Sequence, residues 1–143
     1  MDTIYKSDTK RVFLTFDDGP SPVTSKILDI LKQENVKATF FILGSNVDSR
    51  KDVVKRMYEE GHYLANHGYS HTYSKIYSSP QSVLDEYNEC NDKVKNAIEV
   101  PDYNSHLFRF PGGLAGGKYA EIAEIVSNKV ISKECDYGIL ICG

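Results

Sequence analysis

Short apolar segments alternate along the chain with longer segments in which apolar residues recur at helical spacing. Runs rich in β-branched and aromatic residues predict five strands: Arg11–Phe16, Lys37–Leu43, His62–Asn66, Ser105–Phe110 and Tyr137–Cys142. The intervening segments predict four helices: from Ser21-Pro22 to about Asn35, from Asp48 or Ser49 to Gly61, from Ser79-Pro80 to before Pro101, and from Lys118 to Ser132. This alternation is typical of an α/β fold with a parallel sheet and right-handed crossovers, arranged as an open sheet or as part of a barrel.

The first predicted strand has apolar residues on both faces, as expected for a parallel sheet that is covered on both sides. It is followed directly by Asp17-Asp18-Gly19-Pro20, a strong turn signal. We therefore expect the strand to end at Phe16 and the two aspartates to lie in the turn after it.

Length and composition indicate one globular domain over residues 1–143. The chain is 41% hydrophobic and 26% charged, which is enough apolar material for one core. Its net charge of -3 argues against a nucleic-acid partner. The sequence contains no apolar run of the roughly 20 residues that a membrane span needs, and Met1 to Arg11 lack the apolar core of a secretory signal.

Polar side chains follow three of the predicted strands, at the end where each strand finishes. Asp17 and Asp18 follow the first strand, His67 and His71 follow the third, and Arg109 lies at the end of the fourth. Functional groups of parallel α/β folds gather at the carboxyl ends of the strands. We therefore expect these three loops to converge on one edge of the sheet.

The two histidines are spaced four residues apart, so both rings can reach a single metal ion. A carboxylate from the Asp17-Asp18 pair is well placed to be the third ligand. Two histidines and one carboxylate leave coordination positions open, which is typical of a catalytic rather than a structural metal site. This set of ligands suits zinc, and also cobalt, manganese or nickel.

The remaining groups at this edge predict a division of labour. One aspartate can bind the metal while the other acts as a base toward water that the ion has made more acidic. Arg109 could hold that second aspartate through a bidentate contact. The Pro111-Gly112 segment that follows permits close backbone approach, and the amide of Gly112 could face a developing oxyanion.

Together these residues resemble the NodB-homology polysaccharide deacetylases, carbohydrate esterase family 4. Thr15 to Pro20 (TFDDGP) resembles the first motif of that family. His67 to His71 resembles the second, and Arg109 to Gly113 (RFPGG) resembles a common form of the third. The similarity runs from about Arg11 to Lys118.

The resemblance implies a distorted β/α barrel and an enzyme that removes acetyl groups from N-acetylglucosamine polymers such as peptidoglycan or chitin. By the same resemblance Asp17 is the catalytic base, oriented by Arg109. Asp18, His67 and His71 bind a divalent ion, usually zinc. The Gly112 amide helps to hold the oxyanion, with Pro111 beside it. It also implies an extracellular or cell-envelope location.

The chain departs from the family pattern at two places. Gly68 stands where the family usually has Ser or Thr, whose hydroxyl braces the histidine segment, so we expect a looser loop and weaker metal binding. The fourth motif, rich in Asp and Trp, has no counterpart in Tyr137–Cys142, and the sequence contains no Trp. The fifth, which carries the general-acid histidine, has no counterpart either.

His62 and His106 are not placed to replace that histidine. We therefore expect a NodB barrel that is incomplete at its C-terminal side, with about five strands and four helices. Two hypotheses remain: an active deacetylase, and a catalytically impaired metal- or sugar-binding remnant of one. An incomplete parallel sheet has an open edge, which predicts self-association.

Overall fold

Five parallel strands form a single sheet in which the strand order follows the order along the chain. The computed structural model describes residues 12–113, 121–122, 125 and 138–139. The strands are β1 (Thr15–Gly19), β2 (Thr39–Ile42), β3 (Tyr63–Asn66), β4 (Leu107–Phe108) and β5 (Gly138–Ile139). The predicted α/β class and parallel sheet are confirmed, and each of the five predicted runs contributes a strand.

The helices over the described part of the chain are α1 (Thr24–Gln33), α2 (Gly44–Val47), α3 (Lys51–Glu59), α4 (Tyr73–Ile76) and α5 (Pro80–Ile98), with a 3-10 turn at Asp48–Arg50. The short helices α2 and α4 were not predicted. Of the predicted helix Lys118–Ser132, residues 121, 122 and 125 are helical and the others lie outside the described residues, as do Tyr137 and Leu140 to Cys142 of the last predicted strand. No helix in the described ranges is long and apolar enough to cross a membrane.

The first strand differs from its prediction at both ends. Thr15 and Phe16 pair with β2, and after a bulge Gly19 pairs with Ile42, so both aspartates lie within β1 rather than after it. The φ angle of Asp18 is 64°, which produces the irregularity without ending the strand. The prediction of a strand buried on both sides is also wrong at its start, because Val12 and Phe13 are 88% and 69% exposed.

The helix ends follow local sequence signals in part. Ser79 caps α5 as predicted by accepting a hydrogen bond from the Ser82 amide at 3.1 Å, with Pro80 in the first turn. Gly61 has a φ of 78° and follows α3 as predicted. The first helix, however, starts at Thr24 and not directly after Ser21. Its cap residue is Val23, which provides no side-chain hydrogen bond.

Two apolar clusters hold the helices against the sheet. The larger one joins α1, α3 and α5 to β2 and β3, and includes Leu28, Phe40, Met57 and Leu64, all at most 2% exposed. The smaller one joins α4 and α5 to the β4 region: Ile76, Tyr77, Val83, Phe108 and Phe110. The clusters fix the strands relative to one another, so the groups at their carboxyl ends have set positions.

Stability is expected to fall as the pH drops below about 6.5, in part because of His62. Burial lowers the pKa of His62, with a further contribution from Lys37, and its Nδ1 accepts a hydrogen bond from the Ala38 amide at 3.2 Å. Folding therefore favours the neutral ring, and this contribution is lost as the pH falls from the unfolded pKa toward the lower folded pKa. Urea unfolding of the metal-free protein at two pH values measures the loss.

The His62→Gln variant should lose less stability than the parent between pH 7.5 and 5.5. The exposed His106 provides the matched control, His106→Gln. Equal losses in the parent and the His62→Gln variant would rule out this role for His62.

Candidate metal centre

Three side chains from two strand ends converge at the carboxyl edge of the sheet. Asp18 Oδ1 lies 3.5 Å from His67 Nε2 and 3.5 Å from His71 Nε2, and one ligand atom from each of the three lies within 4.8 Å of the others. Ligand atoms about 2.0–2.2 Å from a tetrahedral zinc ion stand about 3.3–3.6 Å apart. The donor set and its spacing therefore fit a divalent ion.

His67 is held in the form that binds a metal. Its Nδ1 donates a hydrogen bond to the Arg109 carbonyl at 2.7 Å, because a carbonyl can only accept. This leaves the Nε2 lone pair directed toward Asp18 and His71. Burial lowers the pKa of His67, which also favours the neutral ring. A backbone carbonyl that fixes the tautomer of a histidine is typical support for a metal ligand.

The two aspartates point to different partners. Asp18 faces the histidines, whereas Asp17 Oδ1 accepts a hydrogen bond from Arg109 Nη1 at 2.5 Å. The contact uses one guanidinium nitrogen, so the predicted bidentate geometry is not observed. Nη1 also donates to Thr15 Oγ1 at 3.2 Å. Adjacent side chains of a regular strand face opposite sides of the sheet, but Asp18 has a left-handed backbone and both carboxylates line the same cleft.

Arg109 rests on an aromatic surface. Its Cζ lies 3.9 Å from the centroid of the Phe41 ring, and Phe41 is fully buried. A guanidinium over a ring face is attracted to it, which restricts the arginine and so the direction of its bond to Asp17. The sequence around Phe41 carries no signal of this role, because the contact joins residues that are distant along the chain.

A cleft of about 540 Å³ opens over these groups, lined by Thr15, Asp17, Asp18, His67, His71, Tyr73, Arg109, Phe110, Gly112 and Gly113. Of the predicted oxyanion segment, Gly112 lines the cleft, whereas Pro111 is buried behind it and its carbonyl accepts the Tyr77 hydroxyl at 2.6 Å. The contribution of Pro111 to an oxyanion site stays a prediction.

Tyr73 is a cleft residue that the sequence analysis missed. A Cβ atom on Gly112 would lie 2.5 Å from the Tyr73 hydroxyl, and the Tyr73 ring lies 5.4 Å from the ring of His71. The absence of a side chain at position 112 therefore leaves room for the phenol beside the candidate ligand His71. The adjacent glycines in the sequence were a signal of close approach, but they did not identify the approaching group.

The other two histidines lie at the opposite end of the sheet. His62 directly precedes β3, and the backbone amide of His106, just before β4, bonds to Tyr63. The sequence has four histidines, and only His67 and His71 are at this edge. Neither His62 nor His106 is therefore placed to act as an acid at the cleft.

The sequence of this chain is similar to those of known proteins. The polysaccharide deacetylase family profile matches residues 5–130. The chain is 44% identical over 104 residues to a putative polysaccharide deacetylase, YheN, of Bacillus subtilis, covering 73% of this chain and 36% of that protein. It is 42% identical over 124 residues to a peptidoglycan-N-acetylglucosamine deacetylase of Bacillus cereus, covering 87% of this chain and 42% of that protein.

Solved structures agree with the sequence comparison. The polysaccharide deacetylase Bc1974 of Bacillus cereus superposes with a TM-score of 0.77 at 35% identity, over 92% of this chain and 59% of that one. A Streptococcus mutans CE4 esterase superposes with a TM-score of 0.80 at 32% identity, over 93% of this chain and 56% of that one. The chain thus spans less than two thirds of the length of each of these relatives.

Proposed function

This chain belongs to the polysaccharide deacetylase family, and we propose that it is a metal-dependent hydrolase that removes N-acetyl groups from N-acetylglucosamine-containing polysaccharide. The observation that carries this proposal is the convergence of Asp18, His67 and His71, with Asp17 held separately by Arg109. Relatives named as peptidoglycan-N-acetylglucosamine deacetylase and chitooligosaccharide deacetylase support peptidoglycan or a chitin-like polymer as the substrate.

Asp18, His67 and His71 would hold one divalent ion, with zinc the best match to two nitrogen ligands and one oxygen ligand. The bound ion would polarise the acetamide carbonyl and make water a stronger nucleophile near neutral pH. The three ligand atoms would leave such an ion accessible from the cleft, because His71 is only partly buried and the side chain of Asp18 is 61% exposed.

Asp17 would be the base that removes a proton from the attacking water. It lines the same cleft as the metal ligands but accepts its hydrogen bond from Arg109, so its carboxylate is not needed for binding the ion. Arg109 is a positioning residue in this proposal, since its guanidinium holds the carboxylate of Asp17. The Gly112 amide would donate to the oxyanion that forms when water adds to the carbonyl.

Substitution Gly112→Ala should disturb the cleft as well as the backbone. Gly112 has a φ of 77°, which costs an alanine about 1–2 kcal/mol. Its new Cβ would in addition displace the Tyr73 hydroxyl. Because misplacement of about 1 Å at a reacting centre can cost about 100-fold, we expect acetate release to fall by up to that factor.

The matched control is Gly61→Ala. Gly61 has nearly the same φ, 78°, and its added Cβ would only touch the end of Lys37 at 3.7 Å. Both variants should lose similar unfolding free energy in urea, but only Gly112→Ala should lose turnover. Equal turnover in the two variants would contradict the proposed place of Gly112 in the cleft.

Acetate release from N-acetylglucosamine oligomers and from peptidoglycan tests the proposed function. The zinc-loaded chain should release acetate, and a chelator should stop the release until zinc is restored. Release that continues at the same rate after complete removal of metal would contradict a metal-dependent hydrolase.

A second candidate function is a metal- and sugar-binding remnant with little turnover. The position of His62 and His106 away from the cleft favours it, because general acid catalysis contributes about 10²–10⁴-fold. A chain that binds one zinc ion and N-acetylglucosamine oligomers but releases no acetate would fit this candidate.

We further propose that residues 1–143 form a single domain of the NodB type that acts in the cell envelope. The relatives named as peptidoglycan deacetylases support that location. Self-association through the open edge of the incomplete sheet stays a prediction; β1 and β5, the end strands of the described sheet, each have one neighbour in it.

A further inference from the structure

The segment that carries both histidines has an unusual backbone. We call residues 67–71 the histidine loop. Gly68 and His71 have φ angles of 81° and 54°, both in the left-handed region. A non-glycine residue there keeps this conformation only when its surroundings hold it. The position of the His71 ring therefore depends on what binds the loop.

A buried carboxylate binds the loop from the helix side. Glu86 of α5 is 2% exposed, and its Oε2 accepts hydrogen bonds from the amides of Tyr69 at 2.9 Å and Ser70 at 2.6 Å. Its Oε1 accepts the Ser70 hydroxyl at 2.6 Å and lies 3.4 Å from Lys75 Nζ. One side chain thus satisfies three donors in the middle of the loop.

The other face of the loop is held mainly by hydrogen bonds between backbone groups. The carbonyls of Gly68 and Tyr69 accept hydrogen bonds from the amides of Gly44 and Ser45, both at 3.0 Å. The Gly68 amide donates to Asn66 Oδ1 at 2.8 Å. The loop is therefore clamped between α2 and Glu86, and Glu86 is the part of this clamp that a substitution can remove cleanly.

We propose that Glu86 is a positioning residue for the metal centre, which holds the histidine loop so that His67 and His71 converge with Asp18. This inference rests on the proposed function. It also concerns Gly68, whose missing hydroxyl predicted a looser loop. Glu86 binds the amides of the two residues that follow Gly68, so the loop is braced without a hydroxyl at position 68.

The charge of Glu86 suits this role. Burial alone would raise its pKa, but the hydrogen bonds from the Ser70 side chain and from the amides of Ser70 and Tyr69, together with the charge of Lys75, bring the pKa below its ordinary value. A carboxylate that accepts several N–H and O–H groups makes strong, short hydrogen bonds. Its removal would leave the amides of Tyr69 and Ser70 without this acceptor.

Cobalt titration in competition with a chelator tests the inference on the purified chain. Loss of the hydrogen bonds that hold metal ligands in place typically lowers metal affinity by about 10–100-fold. We expect about that loss in Glu86→Gln and a larger one in Glu86→Ala, because an amide retains one acceptor and alanine retains none. The visible absorption bands of bound Co²⁺ should also change, since the angles between its ligands change.

Glu89→Gln is the matched control, because Glu89 lies on the same helix and is exposed. It should bind Co²⁺ with the affinity and spectrum of the parent. Circular dichroism checks that each variant is folded, and if Glu86→Ala does not fold, Glu86→Gln decides. A folded Glu86→Gln variant with the affinity and spectrum of the parent would overturn this inference alone. A parent that binds no Co²⁺ would overturn the proposed function as well.

Discussion

The His67→Ala variant is expected to lose its zinc. Its zinc affinity should fall by more than the about 10–100-fold that is typical when a residue hydrogen-bonded to a metal ligand is substituted. The substitution removes one of three ligand atoms and leaves Asp18 and His71 to hold the ion. The hydrogen bond to the Arg109 carbonyl is lost too, at a cost of about 1 kcal/mol in folding stability. Zinc titration, with circular dichroism to confirm the fold, measures the effect.

His106→Ala is the control for this substitution. His106 is exposed and lies before β4, at the end of the sheet opposite the cleft. It should bind zinc like the parent. If a folded His67→Ala variant kept the zinc affinity of the parent, His67 would not be a ligand.

The second large effect is expected for Asp17→Asn, which should retain zinc and lose turnover by about 10²–10⁴-fold. Asparagine keeps the size of the side chain and can still accept the hydrogen bond from Arg109, but it cannot take a proton from water. The side chain lies outside the ligand set, so the metal site should be unaffected. Acetate release at saturating substrate measures this effect.

Asp102→Asn provides the control for a lost surface charge, because Asp102 is exposed and outside the cleft. It should turn over like the parent. Undiminished acetate release by the zinc-loaded Asp17→Asn variant would exclude Asp17 as the base.

Much of the fold was predictable because the apolar pattern is local. Each of the five apolar runs contributes residues to a strand, and the sequence signals at Ser79 and Gly61 correctly marked a helix start and a helix end. The error at β1 has a specific cause. Asp-Asp-Gly-Pro is a turn signal in isolation, but pairing with β2 keeps the aspartates in the strand, and a left-handed Asp18 takes up the irregularity.

The site was predictable where chemistry and spacing coincide. Asp18 lies near the carboxyl end of β1 and the two histidines follow β3, so they converge because the carboxyl ends of parallel strands share one edge of the sheet. Glu86, Phe41 and Tyr73 were missed because their roles come from contacts between distant segments. Glu86 appeared in the sequence as an ordinary helix residue, and nothing in its local pattern indicated that it would bind the histidine loop.

A side-by-side zinc titration of the parent, Asp17→Asn and His67→Ala tests the central claim most directly. That claim is that adjacent carboxylates have separate roles, with Asp18 and two histidines binding the ion and Asp17 free to act as a base. The account predicts one tightly bound zinc ion per chain in the parent and in Asp17→Asn, and none in His67→Ala. A parent without zinc, or an Asp17→Asn variant that loses zinc as His67→Ala does, would contradict it.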